Sequence, residues 1–432
     1  MNYQAGPSTS SSQNAQEEEE VPLSLSLDEY ARYGRQMIMP DFGLPGQLRL
    51  KNAKVAVVGA GGLGCPTLQY LAGAGVGTIA IFDHDTVGLS NLHRQILHTT
   101  DRIRMNKAES ACLALRALNP KVNLIPHHVP ITPSTALPLL RPYSMIIDCT
   151  DRPLTRYLLN DAAVRLDVPL VSGAAISSAG QWAVYGGATT SKDGSKKKRA
   201  CYRCIWPSVL AGSGGNGKCE EQGVWGVVTG LVGTGMAGEA IKLIVGREDP
   251  QPLLHLHHLC SNPLIRTIRL KPPSTKCIAC GPEPTISDDL EKFGYESFCA
   301  GAMGEGDEVT DETGLVVGGV GERISVKELD EIMRSPTSND MVLVDTRPPV
   351  EFGICSLKGS TNIPLPSILK DPSIVPFKAE VVFLCKRGND SQLAAKAIRQ
   401  VQSSSAKQGR IRDVRGGLLA WSRDVDPEFP VY

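Results

Sequence analysis

Short apolar runs alternate with amphipathic stretches over the first half of the chain. An apolar run at 54–58 leads through a glycine-rich turn into a helical pattern that ends near Ala74, and a second apolar run follows at 78–83. The pattern continues in a helix near 106–118 and in strands at 122–129, 145–149, 170–176 and 181–185. Strands that alternate with helices in this way predict an α/β fold with a doubly wound, mostly parallel sheet.

The segments beside this α/β region have a different character. Residues 1–22 are polar and include four consecutive glutamates, so we expect a disordered tail, because such a composition buries too little apolar surface to fold alone. The segment from Asp28 to Gln36 favours a short helix with Ser26 as its N-cap. Residues 187–225 have little periodicity, and an irregular segment of that length is usually functional or disordered.

The second half of the chain begins with its longest apolar stretch, 227–245. Several glycines and Glu239 interrupt this stretch, so it predicts a buried helix rather than a membrane span. Residues 281–320 are rich in Gly, Asp and Glu without a period, and a second, smaller α/β pattern follows. We therefore predict a first domain at 23–285, a linker at 286–320 and a second domain at 321–432.

Composition narrows the functional classes. The 432 residues carry 45 Lys+Arg and 45 Asp+Glu, and this zero net charge removes the argument for a bulk electrostatic nucleic-acid binder, although a local basic patch remains compatible with it. There are twelve cysteines, and the polar N-terminus has no signal-peptide pattern. We expect a cytoplasmic protein, in which paired cysteines favour metal or sulfur chemistry over structural disulfides.

The glycine-rich turn predicts a nucleotide site. Residues Gly59 to Gly64 satisfy G-x-G-x-x-G between a strand and a helix, where the backbone can approach phosphates at a helix N-terminus. Asp83 follows 19 residues after Gly64, at the end of the next strand, where it is positioned to accept hydrogen bonds from ribose hydroxyls. The turn alone does not distinguish NAD from ATP.

Cationic residues favour a triphosphate at this site. Arg35, Arg94 and Lys107 are expected around its phosphate end, where a triphosphate needs such charges and a hydride-transfer site does not. Asp151, just past the strand at 145–149, is placed to hold Mg²⁺ on those phosphates. For any one of these residues taken alone, a surface charge or an ion pair is the simpler reading.

Two Cys-x-x-Cys pairs predict a metal site. Cys201 and Cys204 form the first pair, and Cys277 and Cys280 form the second after 72 intervening residues. Four thiolates satisfy one tetrahedral, structural Zn²⁺ and leave no open position for zinc catalysis. Redox pairs are the alternative reading of the same residues.

Cys385 follows an apolar strand and precedes a helical run, Gln392 to Val401. A cysteine at such a turn lies near backbone amides and a helix N-terminus, which favour a thiolate or persulfide anion; a buried, inert cysteine is the alternative. Cys219, in the long irregular segment, is either a mobile nucleophile or an exposed thiol. Core packing is the better interpretation for four further cysteines, namely Cys65, Cys112, Cys149 and Cys260.

Taken together, these residues resemble the ubiquitin-activating-like adenylyltransferases that activate sulfur carriers, and the domain order is similar to the eukaryotic branch with a C-terminal rhodanese domain. The resemblance covers about residues 27–432. Its first half rests on Arg35, Gly59 to Gly64, Asp83, Ser90 to Gln95, Lys107, Asp151 and the paired cysteines. Its second half rests on Val344 to Arg347, Glu351, Phe352, Gly359 to Pro364, the Cys385 loop, Arg415 to Gly417 and Trp421.

The resemblance implies roles for individual residues. Cys385 would carry a persulfide, Cys219 would be the active cysteine of the adenylating domain, and Arg35 would reach the phosphates from the partner subunit of a homodimer. Arg152 stands where the family usually has Asn. The residues that would contact ATP are Gly62, Asp83, Ser90, Asn91, Leu92, His93, Arg94, Lys107, Asp151 and Arg152.

The resemblance also implies an activity. ATP with Mg²⁺ would adenylate the C-terminal glycine of a ubiquitin-like sulfur carrier, either the ubiquitin-related modifier or the small subunit of molybdopterin synthase. Sulfur from the Cys385 persulfide, loaded by a cysteine desulfurase or another donor, would then give a thiocarboxylate. The products would support wobble-uridine thiolation of tRNA and molybdenum cofactor biosynthesis, without direct contact to nucleic acid or membrane.

Three other functions remain open at this point. An NAD-dependent oxidoreductase fused to a sulfurtransferase explains the glycine turn and Cys385 but leaves the cationic residues without a role. A catalytically inactive scaffold would bind the carrier without turnover. A conventional modifier-conjugation enzyme would pass a thioester to a partner rather than transfer sulfur.

Overall fold

The computed structural model of the protein divides into two compact units, Met1–Gly304 and Glu305–Tyr432. It describes residues 24–432 except for 191–195, 210–222, 248, 250, 301–321, 336–339, 377–378 and 403–408. The predicted disordered tail at 1–22 lies outside the described residues.

The first unit contains an eight-stranded sheet. Its strands are β1 (Lys54–Val58), β2 (Thr78–Phe82), β3 (Asn123–His127), β4 (Met145–Asp148), β5 (Leu170–Ile176), β6 (Ala179–Tyr185), β9 (Leu253–His258) and β10 (Ile265–Arg269). A separate two-stranded antiparallel sheet pairs β7 (Ala188–Thr190) with β8 (Lys196–Lys198). The order of the eight-stranded sheet is β10-β9-β6-β5-β4-β1-β2-β3. The five strands β1 to β5 are parallel to one another, and β6, β9 and β10 extend the sheet through antiparallel pairs. Because β1 lies between β2 and β4, the chain switches direction there, and ligands bind beyond the carboxyl ends of strands at such a point.

Helices cover both faces of this sheet. They are α1 (Leu27–Met37), α2 (Gly43–Asn52), α3 (Gly64–Ala74), α4 (Lys107–Leu118), α5 (Pro133–Leu140), α6 (Pro153–Leu166), α7 (Tyr202–Ile205), α8 (Gly226–Val245) and α9 (Tyr295–Ala300). One face buries Leu68, Leu115 and Met236, and the other buries Leu140 and Leu158. The doubly wound, mostly parallel sheet predicted from the sequence is confirmed.

Helix α8 is the apolar stretch that the sequence predicts to be a buried helix. By length and composition it is apolar enough to cross a membrane. However, its residues Val228, Val232 and Met236 are fully buried, and the helix packs on α3, β5 and β6. Gly235 lies so close to the Trp182 ring that a methyl group there would overlap it. These contacts identify α8 as a core helix of the first unit, as predicted.

The second unit is built on a five-stranded parallel sheet of order β11-β15-β14-β12-β13. Its strands are β11 (Arg323–Ile324), β12 (Met341–Asp345), β13 (Ser360–Asn362), β14 (Glu380–Leu384) and β15 (Arg410–Val414). Its helices are α10 (Val326–Arg334), α11 (Pro349–Ile354), α12 (Leu365–Lys370), α13 (Asp390–Gln402) and α14 (Gly417–Asp424). Separate apolar clusters cover the two faces, one around Val382 and Trp421 and the other around Phe383 and Ile398.

The structure corrects the start of the predicted linker at 286–320. Ile286, Leu290 and Tyr295 are buried in the same apolar cluster as the α6 residues Tyr157 and Leu158. Residues 286–299 therefore belong to the first unit, and most of the remaining predicted linker lies outside the described residues. The scattered apolar positions in this glycine- and acid-rich segment form no regular period, which is why the sequence pattern indicates a linker.

Candidate nucleotide, metal and sulfur-transfer sites

The glycine-rich turn joins β1 to α3 and depends on its glycines. Gly59 has φ +99°, and a Cβ there would lie 2.8 Å from the carbonyl oxygen of Cys149. A Cβ on Gly64 would overlap the carbonyl oxygen of Gly59. The N-cap residue of α3 is the apolar Leu63, which has no side-chain atom to cap the first amides. The helix N-terminus is therefore suited to receive phosphate oxygens.

Two side chains fix the peptide groups of Ala60 within this turn. Asp83 Oδ2, at the end of β2, accepts a hydrogen bond from the Ala60 amide at 2.7 Å. His98 Nε2 lies 2.9 Å from the Ala60 carbonyl, and its Nδ1 lies 2.9 Å from Ser110 Oγ. Burial lowers the pKa of His98, so its ring is neutral and donates to Ala60 through Nε2. Sequence reasoning identified Asp83 but missed His98, which stands in no recognisable motif.

A polar pocket of about 220 Å³ lies in the first unit. It is lined by Asp85, Thr86, Asn91, Arg94, Gln95, Lys107 and Asp151. The fold thus brings together four of the residues that the resemblance assigns to ATP, namely Asn91, Arg94, Lys107 and Asp151. Gln95 closes the Ser90 to Gln95 motif, whereas Asp85 and Thr86, two and three residues after Asp83, were not singled out from the sequence.

The cations of this pocket are held by polar side chains. Lys107 Nζ lies 2.9 Å from Asp85 Oδ2; the Lys107 side chain is 9% exposed and that of Asp85 is 57% exposed. Partial burial of Asp85 opposes its ionisation, but the hydrogen bond and charge of Lys107 prevail and lower its pKa. Arg94 Nη2 donates to Asn91 Oδ1 at 2.6 Å. An incoming polyanion would meet Arg94 and Lys107 together and compete with Asp85 for the lysine.

The other predicted nucleotide residues take different positions. Arg35 is exposed in the last turn of α1 and is not among the described residues that line the pocket. Gly62 faces α8, where an added Cβ would lie 3.2 Å from the Thr229 side chain. The remaining residues are Ser90, Leu92 and His93, in and after a short 3-10 turn, and Arg152, the exposed N-cap residue of α6.

The four predicted metal ligands form one cluster. The Sγ atoms of Cys201, Cys204, Cys277 and Cys280 all lie within 4.8 Å of one another. Cys201 Sγ is 3.8 Å from Cys204 Sγ and 3.5 Å from Cys277 Sγ, and Cys204 Sγ is 3.3 Å from Cys280 Sγ. Tetrahedral zinc with Zn–S bonds of about 2.3 Å requires sulfur atoms about 3.8 Å apart. The donor set therefore fits Zn²⁺, which would cross-link α7 to residues 277–280.

A buried arginine between two of these cysteines supports the cluster. Arg203 Nε and Nη2 donate to Asp161 Oδ1 and Oδ2 at 2.8 and 2.7 Å, and both side chains are almost fully buried. Tyr295 also donates to Asp161 Oδ2, at 2.8 Å. The guanidinium carbon lies 4.7, 4.5 and 4.6 Å from three ring centroids, those of Tyr157, Phe293 and Phe298. This network attaches the first cysteine pair to α6 and to the buried segment at 286–299, and sequence reasoning missed it.

Cys385 lies at the end of β14, in the turn that leads into α13. Its side chain is buried, its Sγ accepts a hydrogen bond from the Gly388 amide at 3.0 Å, and it donates to Ser391 Oγ at 3.5 Å. Burial raises the pKa of the Cys385 thiol, and the hydrogen bonds with Ser391 and Gly388 oppose that shift. The turn thus directs the Gly388 amide hydrogen at the sulfur, an arrangement that favours an anionic sulfur atom once one is formed.

A charged network adjoins the Cys385 turn. Arg347, which is buried, pairs with the fully buried Asp345 and donates to Tyr432 Oη at 2.6 Å and to the Glu351 carbonyl at 3.3 Å. Tyr432 Oη in turn donates to Glu351 Oε2 at 2.6 Å. The ammonium of Lys386, the residue after Cys385, stands 4.1 Å from the centroid of the Tyr432 ring. The resemblance pointed to Asp345, Arg347 and Glu351, but it did not point to Tyr432.

The remaining cysteines divide by exposure. Cys65, Cys112 and Cys149 are buried, as predicted, and burial raises the pKa of Cys65 to about 12 and that of Cys112 to about 11. The prediction of core packing is wrong for Cys260, which is exposed after β9, beside the edge strand β10. Cys219 lies outside the described residues.

Comparisons with known proteins agree with the division into two units. The ThiF family model matches residues 33–279, and the rhodanese-like domain model matches residues 325–424. The chain is 41% identical over 420 residues to the adenylyltransferase and sulfurtransferase MOCS3 of Drosophila sechellia, which covers 95% of this chain and 87% of that protein. It is 42% identical over 421 residues to the adenylyltransferase and sulfurtransferase uba4 of Ogataea parapolymorpha, with 95% of this chain and 100% of that protein covered.

Proposed function

The chain belongs to the family of adenylyltransferases and sulfurtransferases in which a ThiF domain precedes a rhodanese-like domain, and we propose that it acts on a ubiquitin-like sulfur carrier. In this function ATP adenylates the C-terminal glycine of the carrier, and sulfur from a Cys385 persulfide converts that glycine to a thiocarboxylate. The observation that carries this proposal is the pocket that gathers Arg94 and Lys107 in a chain that also holds a buried, hydrogen-bonded Cys385.

The first half-reaction uses the polar pocket. A carboxylate oxygen of the carrier attacks the α-phosphorus of ATP, an acyl-adenylate forms and pyrophosphate leaves with the displaced electron pair. Arg94 and Lys107 neutralise the charge on the departing phosphates, and Lys107 exchanges its ion pair with Asp85 for these oxygens. Asp151, which lines the pocket, would hold Mg²⁺ on the same phosphates.

The second half-reaction uses the Cys385 turn. The terminal sulfur of the persulfide attacks the acyl carbon, AMP leaves, and an acyl disulfide joins the carrier to Cys385. A second thiol then attacks Cys385 Sγ, which releases the carrier thiocarboxylate and leaves Cys385 in a disulfide that must be reduced before the next cycle. Cys219 is our candidate for the second thiol, and a thioester on Cys219 is its competing role.

The zinc site has a structural role in this scheme. Four thiolates would fill the coordination sphere of one Zn²⁺ per subunit, so the ion has no open position for a substrate. Its contribution is to hold α7 and residues 277–280 together at the side of the sheet.

Oligomeric state connects Arg35 to the reaction. Arg35 is exposed on α1, and we propose that it reaches the phosphates of the partner subunit in a homodimer. Mixing an Arg35→Ala variant with an Arg94→Met variant provides a test. If Arg35 acts across the dimer, mixed dimers regain pyrophosphate exchange at one of their two sites, whereas each variant alone stays inactive. Absence of recovery in verified mixed dimers rejects action across the interface.

The biological setting follows from the carrier. We propose that the ubiquitin-related modifier and the small subunit of molybdopterin synthase are the carriers, with sulfur supplied by a cysteine desulfurase or another persulfide donor. The products would serve wobble-uridine thiolation of tRNA and molybdenum cofactor biosynthesis, and the enzyme would act in the cytoplasm without binding nucleic acid or membrane itself. Cell fractionation tests the location.

Two measurements on the full chain test the central proposal. ATP–pyrophosphate exchange should require a carrier with its C-terminal glycine and should be lost with a carrier that lacks that residue. With ATP and a persulfide donor, the carrier should gain the mass that corresponds to replacement of one oxygen by sulfur. Cys385→Ala should retain exchange and lose the mass gain; equal thiocarboxylate yields from this variant and the wild type would remove Cys385 from the mechanism.

A further inference from the structure

Gly388 is the residue that directs an amide at the reactive sulfur. Its φ is +87°, and a Cβ there would lie 2.7 Å from the Gly416 amide nitrogen and 2.9 Å from the Val414 carbonyl oxygen. The turn is thus packed against the backbone that follows β15, and only glycine fits this position. Glycine, however, has the greatest conformational freedom of all residues, so an additional contact is needed to keep its N–H aimed at Cys385.

Two side chains supply that contact by binding the Gly388 carbonyl. Arg323 Nη2 donates to this oxygen at 3.0 Å, and Gln392 Nε2 donates to it at 2.9 Å. Gln392 belongs to α13, the helix that follows the turn, whereas Arg323 comes from β11, 65 residues earlier. These two bonds fix the orientation of the Gly388 carbonyl and so restrict the backbone of this glycine to the conformation in which its N–H donates to Cys385 Sγ at 3.0 Å.

Arg323 is itself held in place. Its Nε donates to Asp413 Oδ2 at 3.0 Å, and the two residues are direct partners in the parallel pairing of β11 with β15. The Arg323 side chain is 11% exposed and that of Asp413 is fully buried. A buried, ion-paired guanidinium loses little additional conformational entropy when it binds a further acceptor, so its bond to Gly388 is preorganised.

We propose that Arg323 is a positioning residue for sulfur transfer, acting through Gly388 on the sulfur of Cys385. This inference rests on the proposed function of Cys385 as the sulfur carrier. An amide N–H stabilises a thiolate or persulfide anion more than it stabilises a thiol, because hydrogen bonds to ionised acceptors are the stronger ones. Arg323 therefore favours the reactive, anionic form of Cys385 without touching it or the substrate.

The test measures the reactivity of Cys385 directly, in the full chain. Iodoacetamide alkylation of Cys385 is followed by peptide mass spectrometry as a function of pH in the wild type and in Arg323→Met, Arg323→Lys and Arg412→Met. Arg412 is a matched control, because it also forms a mostly buried ion pair, from β15 to Glu380, and within the described part of the chain it does not contact the Cys385 turn through a hydrogen bond. This readout needs neither ATP nor carrier, so its failure is separable from failure of the proposed function.

We expect Arg323→Met to lower the alkylation rate of Cys385 near neutral pH by about tenfold and to move the pH profile to higher pH, because the hydrogen bond from the Gly388 amide to the ionised sulfur is weakened. Arg323→Lys should recover part of the rate, and Arg412→Met should leave the profile unchanged. In sulfur transfer, Arg323→Met should lower kcat with little change in KM for the carrier. A folded Arg323→Met variant with the wild-type alkylation profile overturns the proposal.

Loss of folding in Arg323→Met would not end the test. Gln392→Leu removes the other bond to the Gly388 carbonyl and keeps the ion pair between Arg323 and Asp413. The proposal then requires that the pH profile of Cys385 alkylation also moves to higher pH in Gln392→Leu. An unchanged alkylation profile in Gln392→Leu overturns the proposal.

Discussion

In the nucleotide pocket the functional groups are held by other side chains, whereas in the Cys385 turn the reactive atom is held by the backbone. Lys107 is paired with Asp85 and Arg94 with Asn91, and both pairs can exchange partners when phosphates arrive. Cys385 Sγ instead accepts from the Gly388 amide, in a turn that packs against the Gly416 backbone and whose Gly388 carbonyl is bound by Arg323 and Gln392. The pocket is therefore suited to reversible binding of a large anion, and the turn is suited to a sulfur atom that stays covalently attached to the chain.

The largest expected effect tests whether the two regions are independent. Cys277→Ser removes one ligand of the four-cysteine cluster, and structural zinc contributes its binding free energy to folding. We expect the free energy of unfolding of the first unit to fall by about 5 kcal/mol or more, with loss of bound zinc by elemental analysis. Alkylation of Cys385 should be unchanged, because Cys385 belongs to the second unit.

Cys112→Ser provides the control for this change, since Cys112 is a buried cysteine of the first unit outside the cluster. It should keep its zinc. Equal zinc content in Cys277→Ser and the wild type would contradict the assignment of the four cysteines as one site.

The next prediction compares two glycines: Gly388, which packs against backbone atoms, and Gly62, which packs against a side chain. Gly388→Ala places a Cβ at positive φ and against two backbone atoms, which costs about 4 kcal/mol and should lower sulfur transfer about a thousandfold. Gly62→Ala meets only the Thr229 side chain at 3.2 Å, so pyrophosphate exchange should fall a few-fold at most.

Gly353 provides the control for this comparison of glycines. Gly353→Ala, in α11, places a Cβ in open space, and we expect it to be silent in both assays. If Gly388→Ala retains sulfur transfer within tenfold of the wild type, the close packing of Gly388 against Val414 and Gly416 does not maintain the active conformation of the Cys385 turn.

In both regions, the features that can be predicted from the sequence are those whose residues lie close together along the chain. The glycine turn and the Cys385 turn are each contained in a few consecutive residues between a strand and a helix, and the sequence predicts both. The bonds from His98 to Ala60, from Arg203 to Asp161 and from Arg323 to Gly388 span 38, 42 and 65 residues. Such pairs leave no local pattern, so only the fold reveals them.

Burial of individual residues is equally hard to predict from the sequence where the hydrophobic pattern has no clear period. Leu290 and Tyr295 are core residues in a segment whose glycine and acidic content indicates a linker. Conversely, Cys260 follows the apolar Leu259 in the sequence, yet it is exposed, because it lies between β9 and the edge strand β10. In both cases the position of the segment relative to the sheet decides the outcome, and the composition of the segment does not.

A smaller effect is expected when one cation of the pocket is removed. Lys107→Met keeps the length of the side chain and loses the charge that would meet the phosphates, so we expect pyrophosphate exchange to fall about a hundredfold. Lys121→Met is the control, because Lys121 pairs with Asp28 at the surface and is not among the residues that line the pocket. Unchanged exchange in Lys107→Met would show that the pocket does not bind the reacting phosphates.

The smallest effects concern pH, and the two regions should respond with opposite sign. Lys107 lowers the pKa of Asp85, so their pairing stabilises the fold above the ordinary carboxyl pKa of about 3.9 and this contribution is lost as the pH falls. Burial raises the pKa of Cys385, so its protonated form stabilises the fold below the ordinary thiol pKa of about 8.5 and this contribution is lost as the pH rises.

Unfolding measured against pH separates these two contributions. Asp85→Asn should flatten the acid side of the stability profile slightly, since the carboxylate is more than half exposed and solvent screens its pair with Lys107. Cys385→Ser should flatten the alkaline side more clearly, because Cys385 is buried. The two effects should also be confined to the first and second units respectively, since each group lies in one unit. A Cys385→Ser variant that keeps the full alkaline slope would mean that the thiol ionises as freely in the fold as in the unfolded chain, and the turn would then have no need of the Gly388 amide to favour the anion.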